Sequence, residues 1–181
     1  MTEDESKAKI QRIKSRTGLL KLWSQIESGN VPNWDSGKAF EYLILRAFEL
    51  EGAKVQYPFS VVKNSQSIEQ IDGVVYSDGL SVLCECKNEI KAINIEPIAK
   101  LRNQLLRRPS GVIGVVFSRS GFTEPAITLA EYSSPQTVLL WEGKELDFAL
   151  KQTFMRKGLL IKYQYAVEQT VPNYNLLDLQ L

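Results

Sequence analysis

The sequence contains no histidine and only two cysteines among 181 residues. Structural zinc sites take four cysteine or histidine ligands, so with no histidine and no second cysteine pair a zinc site is not expected. Cys84 and Cys86 stand two apart on one predicted strand and point the same way, poor geometry for a disulfide. Two buried free thiols are the expected reading. Long apolar runs are missing too: none approaches the roughly 18–20 residues that would span a bilayer. The first residues, Met1-Thr2-Glu3-Asp4-Glu5, are acidic and polar, unlike a secretory signal, so a cytoplasmic location is expected. Nor is there a surplus of one charge. The 22 basic and 21 acidic residues leave a net charge of +1, so any affinity for nucleic acid must come from local clustering. Repeats and low-complexity tracts are absent.

What remains is ordinary for a soluble globular protein: 44% apolar and 24% charged residues. The length suits one domain with extensions. The most informative stretch runs from Ile71 to Lys87. Two β-branched-rich segments, Ile71-Asp72-Gly73-Val74-Val75-Tyr76 and Ser81-Val82-Leu83-Cys84-Glu85-Cys86-Lys87, flank Asp78-Gly79. Asp-Gly is a strong signal for a type I′ hairpin turn. Pairing Ser77 with Leu80 places Asp72 opposite Glu85 and Gln70 opposite Lys87. By alternation Asp72, Glu85 and Lys87 share one face, while Ile71, Gly73, Val75, Val82, Cys84 and Cys86 form the core face. Opposed residues have Cβ atoms about 4.5–5.5 Å apart, and like charges there are destabilising. A divalent cation on the exposed face of the hairpin would relieve that repulsion. Lys87 would add an ammonium suited to a phosphate or an attacking water. The plainer alternative is a surface ion pair of Glu85 and Lys87 beside an unrelated Asp72.

Along the rest of the chain, residues 6–28 read as a helix that Thr17-Gly18 divides. Its Lys7, Lys9, Arg12, Lys14, Arg16 and Lys21 form either a solvated face or a basic arm for a phosphate backbone. Asp35 or Ser36 caps a helix running to about Glu51, with Phe40, Leu43, Ile44, Ala47 and Phe48 inward. Glu41 lies at the edge of that stripe and needs a partner. Residues 54–62 read as one strand with Pro58 at an edge or bulge, and Asn64-Ser65-Gln66-Ser67 as a turn. A loop over Asn88–Asn94 precedes a helix from Pro97 to about Arg108. Gly111–Phe117 is a strand buried on both faces, Thr123 caps a helix, and Thr137–Trp141 is a further strand. Leu159–Tyr165 is either a strand or a helix start. Between Glu96 and Glu124 the charged residues are Lys100, Arg102, Arg107, Arg108 and Arg119, all positive, a cluster suited to phosphate. Gln104 lies one step off the apolar stripe of that helix.

An acid, a short interval and then Glu-x-Lys, here Asp72 and Glu85-Cys86-Lys87, resembles the PD-(D/E)xK nuclease superfamily, although Ile71 replaces the proline that often precedes the first acid. Three further stretches resemble its Mrr-type branch: Lys38-Ala39-Phe40-Glu41-Tyr42-Leu43, Gly121-Phe122-Thr123-Glu124-Pro125-Ala126 and Glu142-Gly143-Lys144-Glu145-Leu146. The resemblance covers roughly residues 36–152. It implies an α/β fold with a restriction-endonuclease-like core, a mixed β-sheet flanked by helices on both faces. The expected organisation is a basic helical extension over residues 1–34, the nuclease core over 35–153, and a C-terminal extension over 154–181 that packs on the core or on a second subunit.

The resemblance further implies metal-assisted phosphodiester hydrolysis. Asp72, Glu85 and the Cys86 carbonyl would hold Mg²⁺, for which Mn²⁺ would substitute. Glu41 would join through water or help a second ion, and Lys87 would orient or deprotonate the attacking water. Gln104 would either orient substrate or water, or be a surface glutamine. The implied partner is DNA, contacted by Lys100, Arg102, Arg107, Arg108 and Arg119. A homodimer and a partner protein supplying specificity are the assemblies to consider. Restriction of foreign or modified DNA is the first function implied. The alternatives are a Holliday-junction-resolving or repair nuclease, and a non-cleaving nucleic-acid-binding module of the same fold.

Overall fold

A computed structural model describes residues 2–35, 37–132 and 135–179. The expectation that Ser36 caps a helix lies outside those residues. Two helices open the chain, α1 (Glu3–Gln11) and α2 (Arg16–Glu27). The break comes before Arg16 rather than at Thr17-Gly18, because the Ser15 hydroxyl accepts the Gly18 N–H and restarts the helix there. Helix α3 (Lys38–Leu50) follows. Asp35 is not its cap; Gly37 is, at a φ of 86° that favours glycine.

The strand expected over 54–62 is two strands, β1 (Lys54–Gln56) and β2 (Phe59–Lys63). Pro58 stands between them and has no N–H to give to a ladder. β2 turns away and pairs with β3 (Gln66–Ile71) as a separate two-stranded ribbon. Its tip is Asn64-Ser65, both at positive φ, so Gln66 and Ser67 already belong to the strand. Next come β4 (Gly73–Ser77) and β5 (Leu80–Lys87), joined by Asp78-Gly79 at φ of 52° and 82°, as a type I′ turn requires. Their register from Ser77↔Leu80 to Gly73↔Cys84 is the predicted one. Beyond that point the prediction fails. Gln70 pairs with Ser60 rather than Lys87, because β3 is committed to the ribbon.

The remaining elements are α4 (Glu96–Leu105), β6 (Val112–Ser118), α5 (Glu124–Glu131), β7 (Val138–Glu142), α6 (Gly143–Gln152) and α7 (Met155–Gln169), then a 3₁₀ turn at Leu176–Asp178. The ambiguous Leu159–Tyr165 stretch is therefore helical. The main sheet has the order β1-β4-β5-β6-β7, antiparallel across β1, β4 and β5 and parallel across β5, β6 and β7. It is the mixed sheet expected, with helices on both faces.

Two apolar cores result. On one face α3 packs Phe40, Leu43, Ile44 and Phe48 against Val75, Val82, Cys84, Cys86, Phe117 and Trp141. The N-terminal helices add Ile10, Leu22, Trp23 and Ile26 to the same core, and the C-terminal residues add Met155, Leu159 and Leu176. Each such buried side chain contributes about 1.5–3 kcal/mol, so both ends of the chain are tied to the main body. On the other face α4 and α5 cover Val74, Leu83, Val116 and Leu140 with Ile98, Leu101 and Ala126. Ile71, expected in the first core, lies in this second one. The chain changes sheet at Asp72, so strict alternation does not carry across it.

Candidate active site

Asp72 occupies the one-residue joint between β3 and β4. The β4–β5 ladder ends at Gly73↔Cys84, so Asp72 and Glu85 do not form the regular cross-strand pair expected. Instead the Asp72 side chain stands in for a strand partner: its Oδ2 accepts the Cys86 N–H at 2.8 Å. The acid is only 8% exposed. Burial, then the nearby Glu85 charge, push its carboxyl up to about 6, against the opposing pull of that N–H and of Lys100 and Lys87.

Glu85 projects from the face of β5 that carries Leu83, under α4. The face is therefore not exposed, as the hairpin alone suggested: Glu85 is fully buried. Two ammoniums meet its carboxylate. Lys87 Nζ lies 2.7 Å from Oε1. Lys100 Nζ, from α4, bridges both oxygens at 2.9 and 2.7 Å. Burial works against the Lys87 charge, but the hydrogen bond and charge of Glu85, with Asp72 behind it, outweigh that and hold Lys87 above its ordinary range. Glu41, in the first turn of α3, feels the same cluster from the other side. Burial first, then the charge of Asp72, and Glu85 after the opposing Lys38, raise it to about 7. The fold thus gathers Asp72, Glu85, Lys87 and Lys100, with Glu41 in electrostatic reach of Asp72, Glu85 and Lys87.

The remaining predicted residues are placed elsewhere. Gln104 is buried and donates from Nε2 to the Gln70 carbonyl at 3.2 Å, tying α4 to the strand that delivers Asp72. Arg107 and Arg108 both pair with Glu69 of the ribbon. Arg119 donates to the carbonyls of Ile26, Glu27 and Glu89, linking the end of α2 to the loop after β5. Arg102 has a buried Nε with no hydrogen-bond partner. Lys100 is one of the basic residues expected to contact DNA. Its bidentate hold on Glu85 carries no signature in the sequence, because the two meet only through the packing of α4 on β5.

A cleft of about 230 Å³ opens onto this cluster, lined by Glu85, Lys87, Glu89, Asn94, Glu96 and Lys100 among others. Its floor is polar, and both of its lysines are engaged with Glu85. Among the described residues no group of three His, Cys, Asp or Glu side chains is disposed to hold a metal ion by itself. The donor chemistry fits a hard cation: carboxylate oxygens of Glu41, Asp72 and Glu85 lie near one another, and burial raises the proton affinity of Glu41 and Asp72. No described helix is long and apolar enough to cross a membrane.

The chain is similar to several solved structures. It resembles the small subunit (R.BspD6I2) of the heterodimeric restriction endonuclease R.BspD6I with a TM-score of 0.50 and 17% identity, over 84% of this chain and 94% of that one. Similarity to AF1548, a protein of unknown function, has a TM-score of 0.48 and 21% identity over 72% and 77% of the two chains. For the MspJI restriction endonuclease, solved in complex with a 27-mer oligonucleotide, the values are 0.42 and 20%, over 88% of this chain but 36% of that one. No curated protein matches the sequence. A restriction endonuclease family model, Mrr_cat, matches residues 35–150. That span takes in well over half of the chain, including α3, the β4–β5 hairpin and the sheet that together hold Glu41, Asp72, Glu85 and Lys87, and the protein belongs to this restriction endonuclease family.

Proposed function

We propose that the protein is a metal-dependent DNA endonuclease of Mrr type that hydrolyses phosphodiester bonds in restriction or defence, with Mg²⁺ as cofactor and Mn²⁺ as a substitute. The observation that carries this is the cluster at the end of β5: Glu85 wholly buried, Asp72 fixed to the neighbouring Cys86 backbone, and Lys87 on the same carboxylate. Asp72 is held by the Cys86 N–H, but burying Glu85 beside it sets two carboxylates against each other, a repulsion that a bound cation would relieve.

Asp72, Glu85 and the main-chain carbonyl of Cys86 would hold the metal, with Glu41 as a further oxygen donor. The metal, when bound, supplies Lewis acidity that stabilises charge on the departing oxygen. Asp72 keeps β5 in place through the Cys86 N–H, so the carbonyl and the Glu85 carboxylate stay aligned. Lys87, held as an ammonium by Glu85 in the metal-free site, would orient or deprotonate the attacking water once the metal takes that carboxylate. Gln104 steadies Gln70, two residues before Asp72. The small subunit of R.BspD6I is by name half of a heterodimer; a partner chain that supplies specificity, or a second copy of this one, is the assembly we propose.

The test is cleavage of supercoiled plasmid with Mg²⁺ or EDTA by wild type, Asp72→Ala and Lys87→Ala. Mg²⁺-dependent nicking or linearisation, lost in both variants, is the expected result. Tight DNA binding without cleavage under Mg²⁺, Mn²⁺ or Co²⁺ would establish a non-cleaving module instead. Cleavage of four-way junctions in preference to linear duplex would make the protein a resolving nuclease.

A further inference from the structure

Lys100 occupies the carboxylate that a cation would need. Its Nζ touches both Glu85 oxygens, at 2.9 and 2.7 Å, and Glu85 is fully buried while the Lys100 side chain is 43% exposed. One end of this ion pair is therefore fixed in the protein and the other is free to move into the cleft. In the observed arrangement both lysines lining the cleft are spent on Glu85, while Glu89 and Glu96 also line it. Such a cleft repels a phosphate.

We propose that Lys100 is a built-in counter-ion which the metal displaces, and which on release becomes a phosphate contact beside the site. It is a positioning residue that couples metal binding to DNA binding; this rests on the metal-dependent reading above. The physical argument is competition followed by linkage. A ligand that must first evict an internal partner binds more weakly, by the fraction of protein in which that partner is already away. Once a cation holds Glu85, the ammonium loses its carboxylate and gains the option of the substrate's anion. Cation and DNA must then strengthen each other's binding by the same factor. The exposed stem on the first turns of α4 gives the ammonium room to move without disturbing Ile98 and Leu101, which anchor the helix in the core.

The experiment is calorimetric titration of the full chain with Mn²⁺ in the absence of DNA, for wild type, Lys100→Met, Lys100→Gln and Glu85→Gln. Lys100→Met should bind Mn²⁺ roughly tenfold more tightly than wild type, within the usual range of such couplings. Lys100→Gln repeats the measurement should the methionine variant unfold. A parallel titration with a duplex oligonucleotide, in Ca²⁺ or in EDTA, reads the second half. The slope of log affinity against log salt should be shallower in Lys100→Met by about 0.9, one phosphate contact, in Ca²⁺ only. Equal or weaker Mn²⁺ binding by both Lys100 variants, with binding still lost in Glu85→Gln, overturns the displacement and leaves the metal site standing. Absence of Mn²⁺ binding in every protein, wild type included, overturns both.

Discussion

Asp72 and Cys86 are joined by a hydrogen bond from the Cys86 backbone N–H to Asp72 Oδ2 at 2.8 Å, so an acid outside the ladder closes the ladder. Asp72→Asn keeps an acceptor for that N–H and removes the charge. Its stability should stay within about 1 kcal/mol of wild type, while DNA cleavage falls by about a hundredfold or more. Asp72→Ala should lose the same activity and a further ~1–3 kcal/mol of stability, because a buried N–H is orphaned. Urea unfolding beside plasmid cleavage separates the two effects; equal stability losses in both variants would refute the structural role of this bond.

The pH dependence of the metal-free protein follows from Glu41 and Asp72. Their carboxyls are pushed up to about 7 and about 6 in the fold, above their ordinary values of 4.5 and 3.8, through burial first, then for Glu41 the charge of Asp72 and for Asp72 that of Glu85. The folded state thus binds more protons than the unfolded chain between those limits, and the contribution of these two groups to stability falls as pH rises through that window. Glu41→Gln removes part of the slope. In EDTA the variant should be more stable than wild type by about 1–3 kcal/mol at pH 8 and indistinguishable from it at pH 4. Denaturant titrations at the two pH values decide it.

A second buried charge pair lies at the far end of the sheet. Lys162 is fully buried and donates to Glu145 at 2.6 Å and to the carbonyls of Leu140 and Tyr174 at 2.8 and 2.6 Å. Glu145 in turn accepts the N–H groups of Glu142 and Leu176. The pair clasps the C-terminal segment to β7 and α6. Lys162→Met alone should cost roughly 3–5 kcal/mol, because Glu145 is left charged and buried. The double variant with Glu145→Gln should recover part of that loss. Chemical denaturation measures both, and a loss under 1 kcal/mol in the single variant would contradict the clasp.

Gly143 starts α6 with its Cα pressed against the Arg119 backbone, where an added Cβ would run into the Arg119 carbonyl oxygen. Backbone cannot give way as a side-chain tip can. Gly143→Ala should destabilise by about 1–3 kcal/mol, and it should loosen the Arg119 ties to Ile26 and Glu27. A lowered melting temperature together with faster proteolysis near residue 27 is the expected outcome.

Much of the site was legible because it depends on short-range rules. A two-residue turn at Asp78-Gly79 dictates the register, so Glu85 and Lys87 had to share a face near Asp72. Periodicity put Phe40, Leu43, Ile44 and Phe48 on one stripe and left Glu41 beside it. The same rules misplaced residues wherever the chain changed partner. Pro58 split a strand and sent β2 and β3 into a ribbon, which took Gln70 and Ile71 out of the hairpin. The basic cluster was visible as a run of positive residues. That Arg107 and Arg108 meet Glu69, and that Arg119 holds three main-chain carbonyls, depends on which elements α4 and the loop after β6 pack against.

The sequence by itself determined the turn, the alternation and the apolar stripes, and with them the proximity of an acid, a second acid and a lysine. Those features follow from dihedral preferences and side-chain periodicity acting over a few bonds. Only the tertiary structure decided that Glu85 is sealed beneath α4, that Glu41 comes to it from α3, and that Lys100 closes on it from the cleft. Such meetings join residues on separate elements, and they are fixed by how whole helices seat on the sheet, a balance of burial and electrostatics that no local stretch of the chain contains.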